Sequence, residues 1–223
     1  MPRAPWRLAA VVLGLVLALA SALPAAAQGR GRAGDFDFWV LSLSWSPSYC
    51  EATGNARHDA QCARPFAFVV HGLWPQYERG FPGACDAVVP PPGPDLVRSM
   101  LDVMPSPGLI RHEWDKHGTC SGLKAESYFT VIRRLFEKIR IPADYAVADR
   151  PRTVAPSEVE RAFIAANRGL DPAEISVLCD GRRLQEVRFC LKKDLSAFRA
   201  CPEVERRSCR LERVYLPAVR GGN

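Results

Sequence analysis

The feature that most restricts the fold of this chain is its set of eight cysteines. They are Cys50, Cys62, Cys85, Cys120, Cys179, Cys190, Cys201 and Cys209. No pair has the Cys-x-x-Cys spacing that is typical of zinc sites, so zinc receives little support. An even number of cysteines in an exported protein instead predicts four disulfide bonds. Such bonds would cross-link most of the chain.

The start of the chain indicates export. Arg3 and Arg7 precede an almost unbroken apolar stretch over residues 8–19, and alanines at 25–27 form a small-residue cleavage site. This pattern predicts a secretory signal peptide over residues 1–27. A membrane anchor is the alternative, but the apolar stretch is shorter than the roughly 20 residues that a spanning helix needs. We therefore expect a periplasmic or secreted protein that is not attached to a membrane after signal removal.

The remainder of the chain indicates one domain. Cleavage would leave 196 of the 223 residues, enough for a substantial core. No internal repeat or second composition regime divides residues 28–223, and we expect a monomer. The leader holds two arginines and no acid, so the net charge falls from +6 to +4. This excess is too small to identify a polyanionic partner by itself.

Apolar periodicity predicts both strands and helices. The strand candidates are residues 36–43, 66–70, 175–179 and 184–191. Asp180-Gly181 between the last two is typical of a hairpin turn. The helix candidates are residues 95–103, 109–117, 126–139 and 157–167. Ser157 and Glu160 are spaced as a capping box for the last helix, and the Pro- and Gly-rich residues 82–94 predict a loop. This mixture favours an α+β fold.

Three of the four histidines lie in two short segments. His71 follows the apolar residues 66–70, where we expect the chain to turn at Gly72. In the second segment, helical geometry stacks His112 on Lys116 and Glu113 on His117. Two separated imidazoles can take and give a proton, while a cation holds phosphoryl oxygens. The residues therefore indicate metal-free cleavage of a phosphodiester.

A metal site and an ordinary structural role are the alternatives for these residues. The spacing His112-x-x-x-x-His117 turns the two imidazoles about 140° apart on a helix, which is poor geometry for one metal ion. Lys116 would also repel a cation. Glu113 and Lys116 could instead be ordinary surface residues, and Trp114 is best explained as core. Trp74 could be core or could stack on a nucleic-acid base.

The two segments resemble a known family. His71-Gly72-Leu73-Trp74-Pro75 and His112-Glu113-Trp114-Asp115-Lys116-His117-Gly118-Thr119-Cys120 are similar, in full and in order, to the two active-site segments of the ribonuclease T2 family. Residues 39–50 and 187–190 also resemble it, while 141–175 are the least recognisable. The resemblance implies an α+β fold with a central antiparallel sheet flanked by helices.

The resemblance also implies a reaction and its residues. It implies endonucleolytic cleavage of single-stranded RNA through a 2′,3′-cyclic phosphate, with no metal ion and no cofactor. His117 resembles the general base, His71 the general acid and His112 the phosphate-binding histidine. Glu113 and Lys116 resemble the pair that stabilises the transition state. DNA lacks the attacking 2′-hydroxyl, so no DNA cleavage is expected.

The base site and the disulfides follow from the same resemblance. Trp74 resembles part of the first base pocket, but Gln76 stands where some relatives have an acid, so we expect low base specificity. The implied disulfides are Cys85–Cys120, Cys190–Cys201 nested within Cys179–Cys209, and Cys50–Cys62 as the remaining pair. A catalytically silent RNA-binding or signalling relative is the main alternative function. The intact histidines argue against it.

Overall fold

A computed structural model describes residues 31–53, 59–83, 85 and 89–219. The predicted signal peptide lies outside these residues. Within the described part, no helix combines the length and the hydropathy required to cross a membrane.

A six-stranded sheet forms the centre of the domain. Its strands are β1 (Phe38–Trp45), β2 (Phe68–Gln76), β3 (Arg152–Val154), β4 (Ile175–Asp180), β5 (Arg183–Lys192) and β6 (Val214–Leu216). β1 pairs antiparallel with β2 on one side and with β5 on the other. β4 pairs antiparallel with β5, and β3 with β6. A single parallel pairing joins β5 to β6, so the predicted antiparallel sheet is confirmed at its centre but is mixed at its margin.

Helices pack around this sheet. The described residues form seven: α1 (Ser46–Ala52), α2 (Pro94–Ser99), α3 (Pro107–Lys116), α4 (Ala125–Lys138), α5 (Ala143–Ala146), α6 (Pro156–Ala166) and α7 (Pro202–Glu205). α4 lies within one residue of its predicted bounds, and its stripe of Phe129, Ile132 and Leu135 is buried. These side chains share one core with Leu41 and Leu43 of β1. The α+β class is confirmed.

Strands β1 and β2 differ from their predicted bounds. β1 begins two residues late, and nearly all its residues are buried because it lies between two strands with both faces covered. β2 continues through Gly72 to Gln76, so the expected turn at Gly72 is wrong. The reason is that pairing with β1 resumes after a bulge.

Several helices begin or end elsewhere than predicted. The capping box of Ser157 and Glu160 is wrong, because the helix begins at Pro156, whose fixed φ suits the first helical turn. Glu158 instead accepts a hydrogen bond from the Ala155 backbone N–H at 3.1 Å. α2 ends at Ser99, well before residue 103, and α1, which no periodicity predicted, follows β1 directly.

Four disulfides cross-link the domain. They are Cys50–Cys62, Cys85–Cys120, Cys179–Cys209 and Cys190–Cys201, which confirms every implied pair. Cys85–Cys120 joins the segment after β2 to the 3-10 turn after α3. It therefore ties together the two parts of the chain that contain the histidines. Four disulfides indicate an oxidising compartment outside the cytoplasm.

Candidate active site

A β-bulge sets the position of His71 in β2. Ser42 of β1 pairs with Gly72, but the next residue, Leu43, pairs with Val70, so His71 is the extra residue in β2. A bulge redirects the side chain of the unpaired residue. The His71 side chain is one-third exposed, at 33%. One side of it borders a cleft of about 180 Å³ that Ser44 also lines.

A buried carboxylate contacts His71 at Nδ1. Glu186 of β5 lies with Oε1 2.5 Å from Nδ1 of His71, and its Oε2 accepts hydrogen bonds from Ser42 Oγ at 2.9 Å and Arg188 Nη2 at 2.7 Å. Burial would raise the pKa of Glu186, but the bond to His71 and the charge of Arg188 outweigh it and hold that pKa at about 2. Burial would lower the pKa of His71, yet the bond to Glu186 raises it above the usual value.

Glu113 lies on the opposite side of His71. Its Oε1 is 3.7 Å from Nε2 of His71, and its Oε2 accepts a hydrogen bond from Nε1 of Trp74 at 2.6 Å. A Cβ atom at Gly72 would collide with both Glu113 and Trp74, so this approach of α3 to β2 requires glycine. Glu113 is only 2% exposed, which excludes the surface role. Burial raises the pKa of its carboxyl group, and the charge of His71 offsets this only in part.

His117 is the second imidazole of the site, and it is buried, with 7% of its surface exposed. It follows the last residue of α3 with non-helical backbone angles, φ −126° and ψ −43°. Its ring contacts Trp74 with centroids 5.5 Å apart, and the His71 ring contacts the same indole at 5.4 Å. Burial and the nearby charge of Lys116 lower the pKa of His117 to about 3. Its Nδ1 is buried without a hydrogen-bond partner among the described residues.

His112 and Lys116 lie on the exposed side of α3. Of the two predicted pairs, His112 and Lys116 are therefore exposed, whereas Glu113 and His117 are buried. Both exposed residues are still near enough for their charges to lower the pKa of His117. α3 thus presents positive charge beside the two buried catalytic candidates.

Trp74 and Gln76 share the same face of β2. The Arg188 guanidinium lies over the Trp74 ring, 4.8 Å from its centroid. Gln76 donates to the carbonyl oxygen of Pro75 at 2.9 Å, and with Trp74 and Arg188 it borders a small cleft that Glu203 also lines. Trp74 is partly exposed, whereas Trp114 is buried among the aromatic residues of the core as predicted.

Sequence reasoning missed Ser42, Glu186 and Arg188. A signal for two of them was present, since Glu186 and Arg188 are charged residues two apart in the middle of a strand, which places both on one face. Nothing in the pattern related them to His71, which is 115 residues away. Among the described residues, no group of three or more His, Cys, Asp or Glu side chains is arranged to hold a metal ion.

Two imidazoles with oppositely shifted pKa values, a buried carboxyl group and a lysine form a cluster suited to the acid–base chemistry of a nuclease. The Ribonuclease T2 family model matches residues 36–201. The ribonuclease of Aeromonas hydrophila is 35% identical over 216 residues, covering 94% of this chain and 98% of that protein. Ribonuclease I of Escherichia coli (strain K12) is 26% identical over 237 residues, which cover 86% of this chain and 88% of that protein.

A solved structure agrees with these relatives. RNase NT in complex with 5′-AMP has a TM-score of 0.66 and 28% identity, covering 82% of this chain and 99% of that one. The chain therefore belongs to the ribonuclease T2 family and is a T2-type ribonuclease.

Proposed function

We propose that this protein is an endoribonuclease that cleaves single-stranded RNA by transphosphorylation and leaves 2′,3′-cyclic phosphate ends without a metal ion or other cofactor. The observation that carries the proposal is the pair of imidazoles, His71 and His117, which both contact Trp74 and have pKa values shifted in opposite directions. A pair of titratable groups whose pKa values are separated in this way suits one to give and the other to accept a proton.

His117 is the proposed general base. Its low pKa keeps the imidazole neutral at mildly acidic pH, so a ring nitrogen can take the proton of the ribose 2′-hydroxyl. The 2′-oxygen then attacks phosphorus. Because the nucleophile belongs to the substrate, no metal-bound water is required, and DNA cannot react by this route.

His71 is the proposed general acid. Its raised pKa keeps it protonated under the same conditions. Nε2 is 3.7 Å from Glu113, beyond hydrogen-bond distance, so its proton remains available for the leaving 5′-oxygen. The bond between phosphorus and the 5′-oxygen breaks as that proton is transferred.

His112, Lys116 and Glu113 are proposed to bind the phosphoryl group. The exposed Lys116 attracts a phosphate to α3, and the exposed imidazole of His112 offers a hydrogen bond beside it. Glu113 would repel it as a carboxylate, but burial raises its pKa and favours the protonated form, which donates a hydrogen bond to a phosphoryl oxygen.

Trp74 is the proposed platform for the base on the 5′ side of the cleaved bond. RNase NT has been solved in complex with 5′-AMP, which supports a nucleotide site in this fold. Stacking tolerates every base, and neutral Gln76 replaces an acid beside it, so we propose low base specificity. We further propose a monomer, exported by the 1–27 signal peptide to the periplasm or medium.

The test is incubation of the oxidised protein with single-stranded RNA and matched DNA in excess EDTA, followed by end-group identification. We expect cleavage of RNA alone, with 2′,3′-cyclic phosphate ends. His71→Ala and His117→Ala should each lower kcat about 10²- to 10⁴-fold while circular dichroism remains unchanged. His58→Ala, which alters the histidine outside both segments, is the matched control.

Two results would contradict the proposal. Intact RNA across pH 4 to 8 with a folded sample would favour the silent RNA-binding relative. Loss of cleavage in EDTA, restored by a divalent metal ion, would favour a metal-dependent nuclease.

A further inference from the structure

We propose that Glu186 is a positioning residue for the general acid. It holds Nδ1 of His71, so that only Nε2 faces the leaving group, while Arg188 and Ser42 hold Glu186. This inference deepens the proposed function, because it rests on His71 acting as the acid.

The carboxylate of Glu186 is fixed at both oxygens. Oε1 is 2.5 Å from Nδ1 of His71. Oε2 accepts from Ser42 Oγ at 2.9 Å, from Arg188 Nε at 2.8 Å and from Arg188 Nη2 at 2.7 Å. The residue is 2% exposed, so water does not compete for these bonds. A buried carboxylate with every partner on rigid strands has little freedom to move.

The contact determines which ring nitrogen carries the proton. An ionised Glu186 can only accept, so Nδ1 of His71 must donate. Neutral His71 then has its lone pair on Nε2, and charged His71 has its transferable proton there. In the cleavage step this proton passes to the 5′-oxygen. Hydrolysis of the cyclic ester requires the same nitrogen as the base.

The bulge explains why such a contact is needed. As the extra residue in β2, His71 has no partner in the register with β1. Its ring is one-third exposed and borders an open cleft. The contact with Glu186 supplies the constraint that regular strand pairing does not.

The charges around His71 come from several elements. Glu186 and Arg188 project from β5, and Glu113 and His117 from α3 and its end. Tyr49 of α1 and Asp180 of β4 line the adjoining cleft. Of these groups, Glu186 alone is within 2.5 Å of the ring. Its removal should therefore weaken protonation of His71 more than removal of any other carboxylate.

The experiment compares two substrates. RNA cleavage requires a proton on the leaving 5′-oxygen, whereas uridine 3′-(4-nitrophenyl phosphate) releases a stable phenolate and does not. We expect Glu186→Gln to lower kcat for RNA about 10- to 100-fold, as for the loss of one hydrogen bond to a charged group, with KM unchanged. The loss for the aryl ester should stay below about threefold, and the alkaline limb of the RNA profile should move to lower pH.

His71→Ala is the benchmark that separates the two proposals. If it loses RNA cleavage but keeps aryl ester cleavage, the acid role stands, and Glu186→Gln should reproduce that selectivity in weaker form. Equal losses on both substrates in Glu186→Gln, or unchanged RNA cleavage, would overturn the positioning role alone. If His71→Ala affects both substrates equally, the acid role itself fails.

A second measurement does not depend on that variant folding. Nitrogen-15 NMR of the wild-type protein above the pKa of His71 should show the proton on Nδ1, and a proton on Nε2 would refute the inference. Ser42→Ala removes only one donor to Glu186 and should lower RNA cleavage selectively, by about two- to fivefold.

Discussion

Environment shifts the pKa values of identical residue types in opposite directions in this site. Glu186 and Glu113 are both buried, yet the cationic partners of Glu186 depress its pKa to about 2, whereas burial raises that of Glu113. The two imidazoles differ in the same way, because burial is outweighed by a carboxylate partner at His71 and is reinforced by cationic neighbours at His117. The proposed roles of acid and base rest on these surroundings.

The pH dependence of RNA cleavage follows from the same two residues. The base must be neutral, so kcat/KM should rise as pH passes the pKa of His117, about 3. The acid must be protonated, so kcat/KM should fall as pH exceeds the raised pKa of His71. We expect a bell-shaped profile with its optimum at or below neutrality, measured on a short RNA at constant ionic strength. A profile that increases steadily to pH 9 would contradict this assignment.

Individual site residues were predictable to different degrees. His71, Glu113 and His117 were recognisable because their spacing and chemistry are local. Glu186 was not, because its contact with His71 depends on the pairing of β1 between β2 and β5. Such pairing is a property of the assembled sheet.

Among the helices and strands, the longer amphipathic elements could be predicted from the sequence and the shortest could not. α4 has 14 residues and a continuous apolar stripe, which periodicity detects. β3 and β6 have three residues each, and α5 and α7 have four, which is too short for any period. The bulge in β2 escaped prediction because Gly72 has the same sequence signal in a turn as in a close contact.

The approach of α3 to β2 should be sensitive to one methyl group. Gly72→Ala would place Cβ against Glu113 and Trp74, and we expect a loss of about 1–3 kcal/mol in the free energy of unfolding with reduced RNA cleavage. Gly108→Ala in α3 is the matched control, because its nearest neighbour is Ser106 Oγ at 3.9 Å. Urea unfolding should show it to be neutral or slightly more stable. Equal stability of both variants would show that the contact tolerates a side chain.

For the molecule as a whole, the disulfides and the sheet join segments that are distant in sequence. Cys85–Cys120 spans 35 residues and links the parts that contain His71 and His117. The pairing of β5 with β1 brings Glu186 and Arg188 to the face of the sheet on which Glu186 contacts His71. The cross-linked domain therefore holds two buried ionisable groups, His117 and Glu113, whose pKa values burial shifts away from those in water.

The shifted pKa values make the stability of the folded protein depend on pH. An unfolded histidine titrates near 6.5, whereas folded His117 titrates at about 3. Between these values the unfolded chain binds a proton that the folded protein does not. His117 should therefore lower the free energy of unfolding as pH falls from 6.5 towards 3, by up to about 5 kcal/mol. Glu186 affects stability at lower pH. Its contribution to the free energy of unfolding is fully present above pH 4.5 and is lost as pH falls through about 2.

Sulfate, a dianion throughout this range, should bind between the cations of the site and favour protonated His117. We expect sulfate to raise Tm more at pH 4.5 than at pH 7.5, relative to sodium chloride of equal ionic strength. Calorimetry in two buffers of different ionisation enthalpy should show proton uptake at pH 4.5. Both effects should be reduced in His117→Ala and unchanged in His58→Ala. An equal rise in Tm at both pH values would mean that sulfate binds without protonating His117, because only coupled proton uptake makes the stabilisation depend on pH.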